Sequence, residues 1–308
     1  MIRFFFGFLC VAFLISCNND NKLGKADLPD DYYEQLEEFY SRRHQSLTHE
    51  TGWMRIAGMY WLNQGTNTFG SGSSNDVVFP AGFIPEYAGI FEVTGDTVRL
   101  INSANLNLTH NDERITSLVM YPAEQETRAR YETLEWFIIK RLDLIGIRLF
   151  NSYNERADAF TGFPRYPVLP DNYVSAEFIK FDEPEIIRIA NILGQEDDFE
   201  SPGRLRFRYA GKIHEIITLP GGEGSAFVIL GDLTNRDETY QAGRYLYVDY
   251  PTGDNSYTTI DLNRLYNPPC AYNAFTTCQL PPVQNRLDVR VEAGEKRPDD
   301  YFSVDPSN

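Results

Sequence analysis

The sequence predicts a mainly β protein, with two antiparallel β-sandwich or barrel domains preceded by one helix. Three observations carry this. Tyr and Phe number 19 and 21 against 4 Met, and aromatic and β-branched residues fit a pleated, half-buried surface. Short apolar runs recur at near-regular spacing, punctuated by turns drawn from 22 Gly and 17 Pro, the pattern of β-meanders and sandwiches. The chain beyond its leader, about 280 residues, is longer than most single cores support, so two domains are expected.

The leader comes first. Arg3 supplies a short basic region and residues 4–15 an apolar run, the length of a signal-peptide core and too short to span a bilayer. The run ends in Leu14-Ile15-Ser16-Cys17. That is the form of a bacterial lipobox, whose cysteine is lipidated and becomes the mature N-terminus. Residues 1–16, with Cys10 among them, are therefore expected to leave as a lipoprotein signal peptide, and Cys17 to carry lipid. The expected location is the cell envelope, held to a membrane by that anchor. Asn18 stands where an Asp signals inner-membrane retention in some bacteria, which favours the outer membrane. Residues 17–29 are polar and aperiodic and read as a flexible tether.

A helix is expected over residues 30–50. Asp30 and Asp31 follow Pro29 as caps, and Tyr33, Leu36, Tyr40 and Leu47 fall at helical spacing. It is expected to pack on the first domain. The N-terminal β-domain is placed at 51–160, with an apolar run at 53–62 and strands at 66–69, 77–79, 90–93, 97–101, 115–121 and 134–139. Residues 138–150 read as two strands around 143–146, and Thr94-Gly95-Asp96 as a hairpin turn. A helical turn at 154–160 and the aromatic and proline connector at 162–167 lead into the C-terminal β-domain, 161–297. Its strands are expected at 173–181, 186–193, 203–209, 212–219, 226–232, 244–249, 258–262 and 287–292, a second sandwich or barrel, with 298–308 as a tail.

The stretch GTNTFGSGSSNDVVFP resembles the opening of a forkhead-associated domain, a phosphothreonine-binding β-sandwich. Where that family places a phosphate-binding arginine after the glycine, Ser71 follows Gly70. Its later Ser-Arg-x-His segment is replaced by Pro85-Glu86-Tyr87-Ala88-Gly89. The resemblance implies the fold in degenerate form and does not carry phosphopeptide binding.

Residues 261–296 concentrate two cysteines and four prolines with many polar residues. Cys270 and Cys278 are separated by seven residues, and in an oxidising compartment a disulfide is the default, stabilising by about 2–3 kcal/mol. The alternative is a reactive thiol at Cys270. Arg244, Asp261, Asn263, Tyr266, Asn267, Asn285 and Arg286 form a candidate ligand-binding set, with Asp232, Thr234, Tyr240, Glu295 and Lys296 around it. Arg244 and Arg286 suit bidentate pairing with Asp232, Asp261 or Glu295. Such a set can hold a small polar or anionic ligand: arginine fixes a carboxylate or phosphate, asparagine binds hydroxyls and tyrosine stacks on a ring. Asp261 would serve as general base if burial raised its pKa. The plainer reading is structural, because an irregular loop must satisfy its backbone groups through side chains. The residues leave both open.

The segments GWMRIAGMYWLNQGTNTFGSGSSNDVVFP, FTGFPRYPV, GDLTNRDETYQAGRYLYVDYP and DLNRLYNPPCAYNAFTTCQLPPVQNRLDVRVEAGEK together resemble the bacterial family called domain of unknown function 1684, over roughly residues 45–297. The resemblance implies no reaction, cofactor or partner.

Other classes lack their signatures. A net charge of −16 argues against nucleic acid as partner. His44, His49, His110 and His214 are scattered, no metal motif occurs, and no cofactor is expected. There is no GxSxG, P-loop or dinucleotide fingerprint, so whether the chain is an enzyme stays open. A hydrolase using a carboxylate and a structural or scaffolding lipoprotein are the alternatives to a ligand binder, and the protein partner is unknown. Trp53, Tyr60 and Trp61 invite a carbohydrate-platform reading, although aromatics at alternate strand positions more often belong to a core.

Overall fold

The structure is a computed structural model and describes residues 19–141, 143–253 and 255–299. Strands dominate, one helix is long, and the described strands form three sheets.

Two sheets built from residues 56–151 face each other. One runs in the order Ile56–Trp61, Leu144–Asn151, Leu134–Arg141, Ala129–Tyr131, Thr109–His110, Glu113–Arg114. The other runs Val77–Val78, Gly65–Gly70, Gly89–Thr94, Thr97–Ile101, Ser117–Tyr121. Alternation sets the faces: along Gly89–Thr94, Phe91 and Val93 are buried while Glu92 and Thr94 are exposed. Phe69, Phe79, Phe91 and Trp136 fill the space between the sheets, each fully or nearly fully buried.

The third sheet runs Gly24–Lys25, Tyr173–Ala190, Glu196–Tyr209, Lys212–Pro220, Ser225–Leu230, Arg244–Asp249, and Tyr257–Asp261 pairs with the other edge of Tyr173–Ala190. It curls into a half-barrel around Val174, Phe207, Val228, Leu246 and Ile260. Leu265, Leu287, Val291 and Ala293 of the C-terminal segment close that interior.

Several expectations change. Residues 173–181 and 186–193 are not two strands. Tyr173–Ala190 is one strand whose register shifts between Lys180 and Glu185. Pro184 lies in that bulge and Pro202 lies opposite it, where neither is required to donate to the ladder. Residues 287–292 form no strand. The facing chain turns through a 3-10 helix at Leu233–Arg236, so isolated backbone bonds such as Leu287 N to Gly231 O and Leu233 N to Val289 O stand in place of a ladder. The expected tether is structured in part: Asn19–Lys22 is a 3-10 helix, and Gly24 and Lys25 pair with Ser175 and Val174, just beyond the point where Glu196–Tyr209 leaves that edge. Cys17 and the leader lie outside the described residues.

The helix Tyr32–Thr48 shows the largest difference from expectation. Its Tyr32, Leu36 and Tyr40 are buried with Phe163, Val168 and Tyr173, and its polar tips reach the C-terminal segment. Only its last turn, through Leu47, meets Met54 at the start of the N-terminal sheets. Tyr33, expected on the apolar face, points to solvent, and Tyr32 takes the buried position.

Candidate functional site

The seven candidate residues do not converge on one open cavity. They separate into three buried polar clusters and two isolated braces.

The first cluster is built on Arg244, which opens its strand and is 0% exposed. One terminal nitrogen donates to Asp232 Oδ2 at 2.7 Å and to Val291 O at 2.8 Å, and the other donates to Ala293 O. Asp232 Oδ1 in turn accepts from Thr234 N and Val291 N. This ion pair therefore sews the C-terminal segment to the strand edge. Arg244 pairs with Asp232 as expected, whereas the Arg286 guanidinium pairs with no acid among the described residues and donates to Pro281 O.

The second cluster holds Asn267 and Tyr266. The sequence reading missed its centre, Arg43 on the helix. Arg43 Nε donates to Glu295 at 3.1 Å, its Nη2 donates to Asn267 O at 2.7 Å, and its guanidinium lies 4.5 Å from the Tyr266 ring centroid. Glu295 also accepts from Asn267 N and Tyr272 Oη. Burial pushes the Tyr272 and Tyr266 hydroxyls well above their ordinary range, so both stay protonated. Asn285 acts alone: its amide bonds Ile217 N, Ile217 O and Ile229 O. It bridges two strands that pair only near Leu219–Phe227 and Pro220–Ala226.

The third cluster leads somewhere open. Asp261 Oδ1 accepts from Tyr32 Oη at 3.0 Å; Tyr32 accepts from Asn263 Nδ2 at 2.8 Å; Asn263 Oδ1 accepts from Asn172 Nδ2 at 3.3 Å; and Asn172 Oδ1 accepts from Tyr209 Oη at 3.0 Å. All four donations point the same way, from Tyr209 to Asp261. Burial raises the Asp261 pKa, against the lowering effect of the Tyr32 bond and the Arg264 guanidinium.

Tyr209 and Asn172, at the outer end of this chain, line an open cleft of about 610 Å³ with Lys25, Asp171, Arg208, Arg290 and Glu292. Its charges sort by distance. Lys25 pairs with Asp171 at 2.6 Å, and Arg290 pairs with Glu292, Asp237 and Glu238. Arg208 has no acidic partner among the described residues, and the ladder explains why. In the alternating Arg204, Arg206, Arg208 row, the first two reach Glu215, and Arg206 also reaches Glu177. Arg208 faces Ile213 across one strand pair, and a Cβ on Gly24 would lie 3.6 Å from its Cβ. The run RLRFRY in a strand was the signal available in the sequence: period 2 puts its three arginines on one face.

Cys270 and Cys278 form a disulfide, with Cα atoms 6.2 Å apart, so the thiol alternative at Cys270 falls. No group of three or more potential metal ligands gathers among the described residues.

Comparison with known proteins gives a family match over part of the chain and no activity. No curated protein matches the chain. A solution structure of an uncharacterized protein from Haloarcula marismortui aligns at 26% identity and a TM-score of 0.39, covering 47% of this chain and 80% of that one. A structure from a study of phosphothreonine-dependent FHA domain interactions aligns at 14% identity and a TM-score of 0.21, covering 30% of this chain and 92% of that one. The second overlap fits a weak forkhead-associated-like resemblance, and neither carries further argument. Residues 158–296 match the family described as "Protein of unknown function (DUF1684)", so the resemblance read from the sequence is found where its most specific segments lie.

Proposed function

We propose that this is a lipid-anchored cell-envelope protein whose C-terminal β-region binds a small polar or anionic ligand in the cleft at Arg208. One observation carries the reading: in a chain of net charge −16, Arg208 lines a 610 Å³ cleft whose acids, Asp171 and Glu292, pair with Lys25 and Arg290, and it has no ion-pair partner of its own among the described residues. A carboxylate or phosphate would give that guanidinium the bidentate partner it lacks. Tyr209 donates its one hydroxyl proton to Asn172, so toward the cleft it presents an acceptor, suited to a hydroxyl of the ligand rather than to its anionic oxygens. The candidate residues Asp261 and Asn263 thus serve the cleft from behind, as the buried end of the chain that orients Tyr209.

Thermal unfolding in increasing inorganic phosphate or citrate tests the reading. Stabilisation should rise with ligand concentration and level off only logarithmically, as mass action requires. It should vanish in Arg208→Ala. No stabilisation by either anion, or equal stabilisation of the variant, would sink it. The anchor is tested separately: Cys17→Ser should release the full chain from the membrane fraction, and continued partitioning there would remove that half of the proposal.

A further inference from the structure

A second cleft, of about 230 Å³, lies where three parts of the chain meet. The end of the Leu134–Arg141/Leu144–Asn151 hairpin and neighbouring Trp61 form one wall. The tip of the long Tyr173–Ala190/Glu196–Tyr209 hairpin, with Gln195 and Asp197, forms another. Thr277 and Gln279, from the disulfide loop, form the third.

Trp61 is the informative residue. It pairs in register with Gly146 on the adjacent strand, and a Cβ at Gly146 would lie 2.7 Å from the indole. Only glycine lets the ring rest on that backbone. The same ring stays 40% exposed and lines the cleft. An aromatic covering a strand glycine is a structural device in its own right, but that role does not require polar groups gathered opposite the ring.

The segments that carry those polar groups are held together. Asn191 and Gln279 form an isolated bridge, Ile192 N donates to Cys278 O at 3.0 Å and Leu280 N donates to Ala190 O at 2.8 Å. Asn191 Oδ1 accepts from Leu193 N and Gln195 N and fixes the hairpin tip. The Cys270–Cys278 bridge closes the loop that carries Thr277. An indole face beside amide, hydroxyl and carboxylate side chains matches a pyranose ring, which presents an apolar C–H face and a rim of hydroxyls.

We propose that this cleft binds a pyranose oligosaccharide, with Trp61 as the stacking platform and Asp197 and Gln279 bonding hydroxyls. The site is separate from the cleft at Arg208. The test is ligand-observed NMR titration of the full chain with chitotriose, cellotriose and maltotriose. At least one should bind saturably and bind about tenfold or more weakly to Trp61→Ala, the equivalent of roughly 1.4 kcal/mol. Should Trp61→Ala fail to fold once Gly146 is uncovered, Asp197→Ala decides, with the same loss expected at an unchanged melting temperature. No saturable binding of any of the three sugars overturns the proposal. So does undiminished affinity in Trp61→Ala, or in Asp197→Ala where that variant decides.

Discussion

Arg244 and Arg208 lie on the same curled sheet and have opposite surroundings. Arg244 is fully buried, and its terminal nitrogens are spent on Asp232 and on carbonyls of the C-terminal segment. Arg208 lies half-buried on the outer face, lining an open cleft, with no ion-pair partner among the described residues. In sequence, the first looked like the ligand-binding arginine, because it stood near many Asn, Asp and Tyr residues. That company is what a buried guanidinium needs in order to be buried at all. An arginine available to a ligand is marked by the partners it lacks, and only the ladder register reveals those.

The largest test of this contrast is Arg244→Ala. It strands the Asp232 carboxylate, which is as fully buried as the arginine, and breaking such a pair costs about 3–5 kcal/mol. Urea unfolding should show the loss. A cost below about 1 kcal/mol would mean that water reaches Asp232 and that the cluster is no clasp. Next comes the disulfide. Its partners are 8 residues apart, and a loop that short is worth about 2.5 kcal/mol on the chain-entropy estimate. The double variant Cys270→Ser/Cys278→Ser should lose that much, and a loss no larger than that of two surface substitutions would place the stabilisation elsewhere.

Much of the fold was legible and the site was less so, for one physical reason. Strand positions follow from local period: 97–101 and 244–249 were placed with the bounds observed, because alternating residues and flanking turns are neighbours in sequence. The bond from Tyr32 to Asp261 spans 229 residues and that from Arg43 to Glu295 spans 252. No periodicity connects them, so the helix was expected on the wrong neighbour. The single strand Tyr173–Ala190 was divided for a related reason: Pro184 reads as a stop unless the bulge that tolerates it is known.

A smaller effect concerns pH at Asp261. Its folded-state pKa lies above the ordinary 3.8 because burial penalises the carboxylate. The folded protein therefore holds that proton more tightly than the unfolded chain does. The resulting stabilisation is complete below the ordinary carboxylate range and is lost as pH rises through the folded pKa. Asp261→Asn keeps an oxygen to accept from Tyr32 and does not titrate. Melting temperatures of both proteins across about pH 3–7 should show the variant gaining on the native chain as pH rises. Parallel curves would mean that Asp261 titrates as an exposed carboxylate, leaving the Tyr209-to-Asp261 chain without a buried end.

The smallest expected stability effect is the one that sharpens the contrast most. Arg208→Ala removes no ion pair and no hydrogen bond found among the described residues. Surface changes of this kind fall within about 0.5 kcal/mol. Urea unfolding without added anions should therefore leave the midpoint almost unmoved, while the phosphate-dependent stabilisation disappears. A loss approaching that of Arg244→Ala would make Arg208 a second structural arginine, and the cleft would no longer be distinguished from the clasp.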